Sequence, residues 1–477
     1  MRVLLISTYE LGHQPLHLAA PAGALLAAGH QVRCADLAQE GLDAETACWA
    51  EAVGVSVPMH TAMRLAVEVA RQLRSERDGL PIALYGLYAT LNESDLFDIA
   101  ISGEYLSDLV SWVDRLERSE VDDRDDDRNR GGRPTVVSLR REKPGLPARH
   151  LLPPLDRYAK LSLCGEERLA GYVEASHGCA HRCRHCPVPV VYDGRTRLVH
   201  EDVLLADVDQ LVRMGARHIT FGDPDFLNGP HHARRQVTAF HDAFPELTFD
   251  ITVKVEHILR YRNLLPDFGR CGCLFAVSAF ESADDDTLRR LDKGHSVADE
   301  LEAVAVLRKA GIEPRPSLLP FTPWTRAEHL VDLIDLVARA DLIGNVDPIQ
   351  YSIRLLVPPG SLLLTSGHLD GYLDYYDPGQ LGWTWRSSDP RLDALQQRLA
   401  DMASSADTGH WSAMETYEFV RQAVAEAISS DVRLGSLPDP EEHLRSTYEM
   451  DLRPRLTESW FCCAEPTAQM ISAQGGA

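Results

Sequence analysis

Three cysteines stand at C-x3-C-x2-C, Cys179, Cys183 and Cys186, within Ser176-His177-Gly178-Cys179-Ala180-His181-Arg182-Cys183-Arg184-His185-Cys186-Pro187. Thiolates are soft ligands suited to iron–sulfur clusters and zinc. Three of them on one short loop can hold three corners of a cubane cluster. The fourth iron then lacks a protein ligand, unlike the usual four-cysteine site. Such an open iron is a place for a substrate or cofactor to bind, whereas a fully ligated cluster mainly passes electrons. The competing chemistry is structural zinc. His177, His181 and His185 interleave with the thiols, and three cysteines with one histidine close a tetrahedral site. A zinc knuckle would need no enzyme-sized scaffold around it.

Seven more cysteines complete the set of ten. Cys271 and Cys273 read as small core residues at the start of a strand. Cys462 and Cys463 form a vicinal pair within Trp460-Phe461-Cys462-Cys463-Ala464-Glu465-Pro466. A disulfide framework belongs to oxidising compartments, and the chain is expected to be cytoplasmic. Its apolar run at 18–28 is broken by Pro21 and Gly23 and is too short to span a bilayer. The opening residues lack the features of a signal peptide. The net charge of −23 repels polyanions and argues against nucleic acid as the main partner. Only five basic residues are lysines, which reads as codon bias.

The elements that must position the thiols follow from hydrophobic periodicity. Residues 1–117 alternate strands (3–7, 31–35, 53–57, 82–85, 99–102) with helices (16–28, 61–73, 106–116). That alternation predicts a Rossmann-like, doubly wound α/β domain. Residues 118–150 form an Asp/Arg-rich linker with too few apolar side chains to offset ordering. From 151 to 365 the alternation resumes, with strands expected at 172–175, 218–221, 248–253, 274–278, 313–318 and 348–353. This predicts a partial (β/α)6 barrel with its chemistry at the C-terminal strand ends, and the thiol loop follows its first strand. Residues 366–460 read as a helical domain, and 461–477 as a peripheral tail carrying the cysteine pair.

The triplet's spacing and its place after the first barrel strand resemble the radical S-adenosylmethionine (radical SAM) superfamily. The resemblance implies a [4Fe–4S] cluster on Cys179, Cys183 and Cys186 whose open iron chelates the amino and carboxylate groups of SAM. One electron then cleaves a C–S bond to release a 5′-deoxyadenosyl radical. The family usually places an aromatic residue before the third cysteine. Here His185 stands there, and its ring can stack near adenine. Downstream, Phe221-Gly222-Asp223-Pro224-Asp225-Phe226 is similar to the turn that receives the SAM amino group, which implicates Gly222, Asp223 and Asp225. Ala279-Phe280-Glu281-Ser282 is similar to a Gly-x-Glu-Ser turn, which implicates Glu281 and Ser282 in holding the ribose or the polar end. Lys293-Gly294 matches a recurring dipeptide, and Leu319-Pro320 begins a turn whose remainder differs.

Residues 1–117 resemble the cobalamin-binding domains that precede many such barrels, through Ala28-Gly29-His30-Gln31-Val32, Gly86-Leu87-Tyr88-Ala89-Thr90 and Ser102-Gly103-Glu104. The Asp-x-His-x-x-Gly loop that supplies a histidine to cobalt is missing, with Glu10-Leu11-Gly12-His13 in that region and Tyr88 where many relatives carry histidine. Two readings stand: a cobalamin site, or a Rossmann-like domain kept for other contacts. The tail closely resembles the radical SAM family named for its CUAEP or CCAEP ending, which implies a catalytic role for Cys463 and Cys462.

The expectation is therefore a cytoplasmic radical SAM enzyme with a [4Fe–4S] cluster and SAM, acting on a small-molecule substrate and fed by an electron donor such as flavodoxin or ferredoxin. No membrane or nucleic-acid partner is expected. Alternatives are cobalamin-dependent radical methyl transfer, aminocarboxypropyl transfer to a soft acceptor such as trivalent arsenic, and a zinc-stabilised binding or regulatory protein.

Overall fold

The computed structural model describes residues 1–92, 94–118, 134–142, 145–428 and 450–458. The Cys462–Cys463 pair and most of the Asp/Arg-rich segment lie outside the described residues.

Six parallel strands form the first sheet: β1 (Arg2–Ser7), β2 (Gln31–Asp36), β3 (Ala52–Ser56), β4 (Ile82–Tyr85), β5 (Ile99–Gly103) and β6 (Thr135–Ser138), in the order β2-β1-β3-β4-β5-β6. Alternation along β1 sends Leu4 and Ile6 to one apolar core and Val3 and Leu5 to the other. Burial on both faces is why its interior reads as a continuous apolar run. The helix His60–Glu76 lays Met63, Ala66, Ala70 and Leu73 against one face, one turn apart. The order reverses at β1, whose neighbours are β2 and β3, and that reversal opens the crevice where doubly wound sheets bind ligands. Residues 118–150 had been expected to be linker throughout, yet Thr135–Ser138 is the sixth strand. Its short Thr-Val-Val run follows a dense charge run that hides it from a composition reading.

The second sheet runs β14-β13-β12-β11-β8-β7-β17. Its parallel part is β8 (Glu166–Val173), β11 (His218–Phe221), β12 (Thr248–Thr252), β13 (Cys273–Glu281) and β14 (Glu313–Leu318). Strands β7 (Lys160–Leu163) and β17 (Arg455–Leu456) extend it antiparallel at the β8 side. The result is a half-barrel with helices packed outside around Ile219, Phe221, Phe249 and Ile251. Between β8 and β11 a short hairpin, β9 (Ser176–Gly178) with β10 (Thr196–Leu198), brackets the thiol loop. The strand expected at 348–353 is instead a 3-10 turn, Pro348–Ser352, followed by a single bridge from Arg354 to Phe321. Pro314 and Pro316 explain this: they leave β14 short of N–H donors and confine it to a sheet edge.

Beyond the barrel, where residues 366–460 are expected to be mostly helical, β15 (Leu373–Asp377) and β16 (Gly382–Trp385) form an antiparallel hairpin ahead of the expected helices. Tyr375, Tyr376, Trp383 and Trp385 favour strands, and Pro378-Gly379 supplies the turn. The helices Arg391–Gly409 and Ala413–Ala427 follow, the second opened by a Ser412–Glu415 capping box. A fully buried Arg149 ties the two sheets together. It makes a two-point pair with Asp207 (3.0 and 2.8 Å) and donates to the carbonyls of Tyr172 (2.6 Å) and Gln14 (3.3 Å). Among the described residues, no helix is long and apolar enough to cross a membrane.

Candidate functional site

The thiol loop leaves the C-terminal end of β8 and is held from below by Asp223, which follows β11. One Asp223 oxygen accepts the Ala175 N–H (2.9 Å) and the other the Ser176 hydroxyl (2.5 Å). Burial raises this carboxyl to about 7. Gly178 takes φ +74°, and a Cβ there would meet the Arg195 carbonyl at 2.3 Å, so only glycine opens the loop this way. Cys179 and Cys183 are buried and Cys186 is half-buried. Asn228 accepts the Ala180 N–H at 3.1 Å and lies 3.7 Å from the Cys179 sulfur.

The donor set suits a cluster. Zinc would draw its ligands within about 4 Å of one another, since Zn–S bonds are ~2.3 Å. Among the described residues, the groups with ligand atoms within 4.8 Å of one another are His181–Asp225–His257 and His30–Asp114–Glu117, not the three thiols. Burial pushes the bare Cys179 thiol up to about 12, so coordination is what would ionise it. Burial also raises Cys183, against the pull of Lys293 and Lys254.

Around the loop stand two charged groups. Glu281, at the end of β13 and in the left-handed region (φ +69°), accepts from Lys293 Nζ at 2.9 Å and lies 3.1 Å from His185 Nε2. Burial alone would raise its carboxyl, but Lys293 and His185 hold it well below the usual carboxylate range. Asp225, fully buried, lies 2.7 Å from His257 Nδ1 and 3.5 Å from His181 Nε2. Burial would raise it too, and the two histidines leave it lowered.

The structure thus brings His185, Glu281 and Asp225 to the thiol loop. Asp223 is committed to shaping that loop, and Ser282 accepts the Asp284 N–H at 3.2 Å. Gly222 packs under Tyr172, whose hydroxyl would lie 2.0 Å from a Cβ there. His257 and Lys254 were not singled out from sequence. Lys254 and Lys293, two of the chain's five lysines, are both buried here, a signal that the codon-bias reading passed over.

Between the two sheets lies a cavity of about 290 Å³. It is walled by residues that follow the C-terminal strand ends of the first sheet, including Met59, His60 and Tyr88, by Tyr172 and Gly222 of the half-barrel, and by His177 of the β9–β10 hairpin. Alternating charges cross it. Glu10 contacts His17 (2.7 Å), His17 faces Glu174 (3.7 Å), Glu174 contacts His177 (3.3 Å), and His177 contacts Glu104 (3.0 Å). Burial alone would lower both imidazoles, yet the carboxylates raise each to about 9. His13 also lines the cavity and stacks on Tyr172 at 4.8 Å, whose hydroxyl donates to Glu174 at 2.8 Å.

Residues 173–337 match the radical SAM superfamily. The chain carries a radical SAM domain. The matched span holds the thiol loop, Asp225, Glu281 and Lys293, and the superfamily works with a [4Fe–4S] cluster and SAM. The chain is also similar to tRNA-2-methylthio-N(6)-dimethylallyladenosine synthase of Chlorobium luteolum (strain DSM 273 / BCRC 81028 / 2530). Identity is 25% over 174 residues, 33% of this chain and 36% of that protein, so the chain spans about a third of that relative's length. Two solved radical SAM structures share the fold. OxsB with aqua-cobalamin bound superposes with TM-score 0.67 at 12% identity, over 89% of this chain and 71% of that one. TsrM from Kitasatospora setae, with cobalamin and a [4Fe–4S] cluster bound, gives 0.55 at 15% identity, over 93% and 92%. The chain thus sets an N-terminal α/β sheet against a half-barrel that carries the radical SAM domain.

Proposed function

We propose that this enzyme carries its [4Fe–4S] cluster on Cys179, Cys183 and Cys186 and binds a corrinoid in the cavity between its two sheets, so that a small-molecule substrate reacts there by radical chemistry such as methyl transfer. One observation carries the reading. The ligand crevice of the first sheet opens onto the same cavity as the C-terminal strand ends of the half-barrel, and aligned relatives bind cobalamin. When bound, the cluster and SAM supply the radical and the corrinoid supplies methyl-transfer chemistry.

The chain's own residues bind, orient and shield. Asp223 and Gly178 fix the thiol loop. Lys254 and Lys293 set positive charge beside Cys183, and Asp225 and Glu281 offer carboxylates at the strand ends where polar parts of SAM would be held. The apolar part of the lining, with Met59, Leu87, Val188 and Val199, would keep water from a radical. Cys462 and Cys463 are proposed as catalytic thiols. A small cytoplasmic reductant completes the cycle.

Anaerobic purification with iron and corrinoid quantification, then a dithionite assay for SAM-derived products, tests the reading. Expected are cluster iron, bound corrinoid and S-adenosylhomocysteine or 5′-deoxyadenosine, all SAM cleavage being lost in C179A/C183A/C186A. Zinc in place of iron, or equal turnover in the triple variant, would refute it. A 5′-methylthioadenosine product would instead support aminocarboxypropyl transfer.

A further inference from the structure

A second, smaller chamber of about 60 Å³ adjoins the main cavity, with which it shares Leu11, His13, Tyr172, Gly222 and Thr252. It lies inside the half-barrel, where Thr220, Asp250, Phe275, Val277, Arg315 and Ser317 wall it. That volume is about two waters' worth, enough for a charged head group and too little for a whole substrate. Asp250 stands beside Thr220 in the sheet, two residues before Thr252 at the C-terminal end of β12. It is therefore about 7 Å deeper than the strand ends from which the thiol loop is held.

Asp250 is 2% exposed, and its two oxygens are used differently. Oδ1 accepts from the Thr220 hydroxyl (2.7 Å) and lies 2.9 Å from His218 Nε2. Oδ2 has no hydrogen-bond partner among the described residues, and it keeps surface on the chamber rather than being sealed in. The Thr252 and Ser317 hydroxyls on the same walls also lack partners among the described residues. The charges in the lining are one cation, Arg315, against three carboxylates, Asp250, Asp347 and Glu458. Arg315 is paired with Asp347, and Glu458 accepts from the Tyr9 hydroxyl at 2.9 Å. Burial lowers His13 to about 4, so its ring adds no charge. An anion would meet a wall of net negative charge, and an apolar group would leave the second Asp250 oxygen without a donor. A protonated amine supplies what is missing: a positive charge and three N–H donors, one for the carboxylate and two for the hydroxyls.

We propose that this chamber anchors the primary ammonium group of the substrate on Asp250 Oδ2, Thr252 and Ser317, so that the substrate is an amine whose remainder extends into the main cavity. This rests on the reading of that cavity as the place of reaction. A charged head held deep in the barrel fixes which carbon of the substrate faces the strand ends, and that orientation decides where a radical attacks.

The test uses the full-length protein, reconstituted anaerobically with iron, sulfide and SAM, and two probes of equal length, n-butylammonium and n-butanol. Saturation-transfer NMR titrations in moderate salt, which screens weak surface attraction, should show binding of the amine and none of the alcohol. D250N keeps a carbonyl for Thr220 and His218 and turns an NH₂ donor toward the chamber, so n-butylammonium should bind about tenfold to a hundredfold more weakly. S317L fills the chamber without changing Asp250 and should weaken binding as much. If both variants fail to fold, the contrast between amine and alcohol in the unsubstituted protein decides alone. Equal binding of the two probes, no binding of n-butylammonium, or unchanged affinity in folded D250N or S317L would each overturn the anchor. A dithionite assay on the same unsubstituted protein separates this from the reading beneath it. SAM cleavage without amine binding sinks the anchor alone, whereas amine binding without SAM cleavage sinks the radical reaction and leaves the ammonium site standing.

Discussion

Raising the pH should loosen the contact between the two sheets, and His17 provides the handle. Its imidazole shifts from 6.5 to about 9 in the folded protein because Glu10 and Glu174 outweigh burial. Each unit is worth ~1.4 kcal/mol, so the charged ring contributes ~3 kcal/mol. Between these two values the folded state binds more protons than the unfolded one, so stability must fall as pH rises. The contribution is complete below pH 6.5 and gone above about 9. His177 shares Glu174, so the two titrations are coupled and do not simply add. The H17Q variant isolates one of them. Urea unfolding of anaerobic, reduced protein, read by amide exchange in β1 and β3 from pH 6 to 9.5, should show wild type losing ~3 kcal/mol more than H17Q. Parallel slopes for the two proteins over that range would refute the idea that the carboxylates hold this ring charged.

Two other perturbations follow from buried pairs. R149M strands the Asp207 carboxylate between the sheets and should cost about 3–5 kcal/mol, whereas R149M/D207L should recover most of that loss in the same unfolding assay. K293M should similarly destabilise by about 3–5 kcal/mol at neutral pH by leaving the buried Glu281 with His185 in place of its fixed positive partner. Because wild-type Glu281 is held below the ordinary carboxyl value of 4.5, the gap should narrow as acid unfolding profiles are taken below that pH.

Local chemistry was legible in the sequence, and chemistry assembled by folding was not. The thiol triplet and the Glu281 turn announce themselves because spacing along one loop is what they require. His257 could not be paired with His181 and Asp225, since that meeting needs β8, β11 and β12 side by side. His60 looked like any residue at a helix start, yet its Nε2 donates to the Leu381 carbonyl in the turn between β15 and β16. The missed strand Thr135–Ser138 shows the limit of composition, where four residues next to a charge run carry too little pattern. The overcalled strand at 348–353 has the opposite cause: its apolar run satisfies periodicity, but the prolines of β14 deny it a partner. Prolines in the adjacent strand were the available clue.

The cavity has two owners. One wall belongs to the first hundred or so residues, while the thiol loop and its supporting carboxylates belong to the half-barrel. Transplanting a foreign N-terminal unit would therefore recut the cavity without touching the thiol loop, provided that the graft kept a Gln14 carbonyl for Arg149 and a carboxylate ladder for His177. Diversification of such enzymes by domain exchange would then be constrained less by catalysis than by a handful of seam residues.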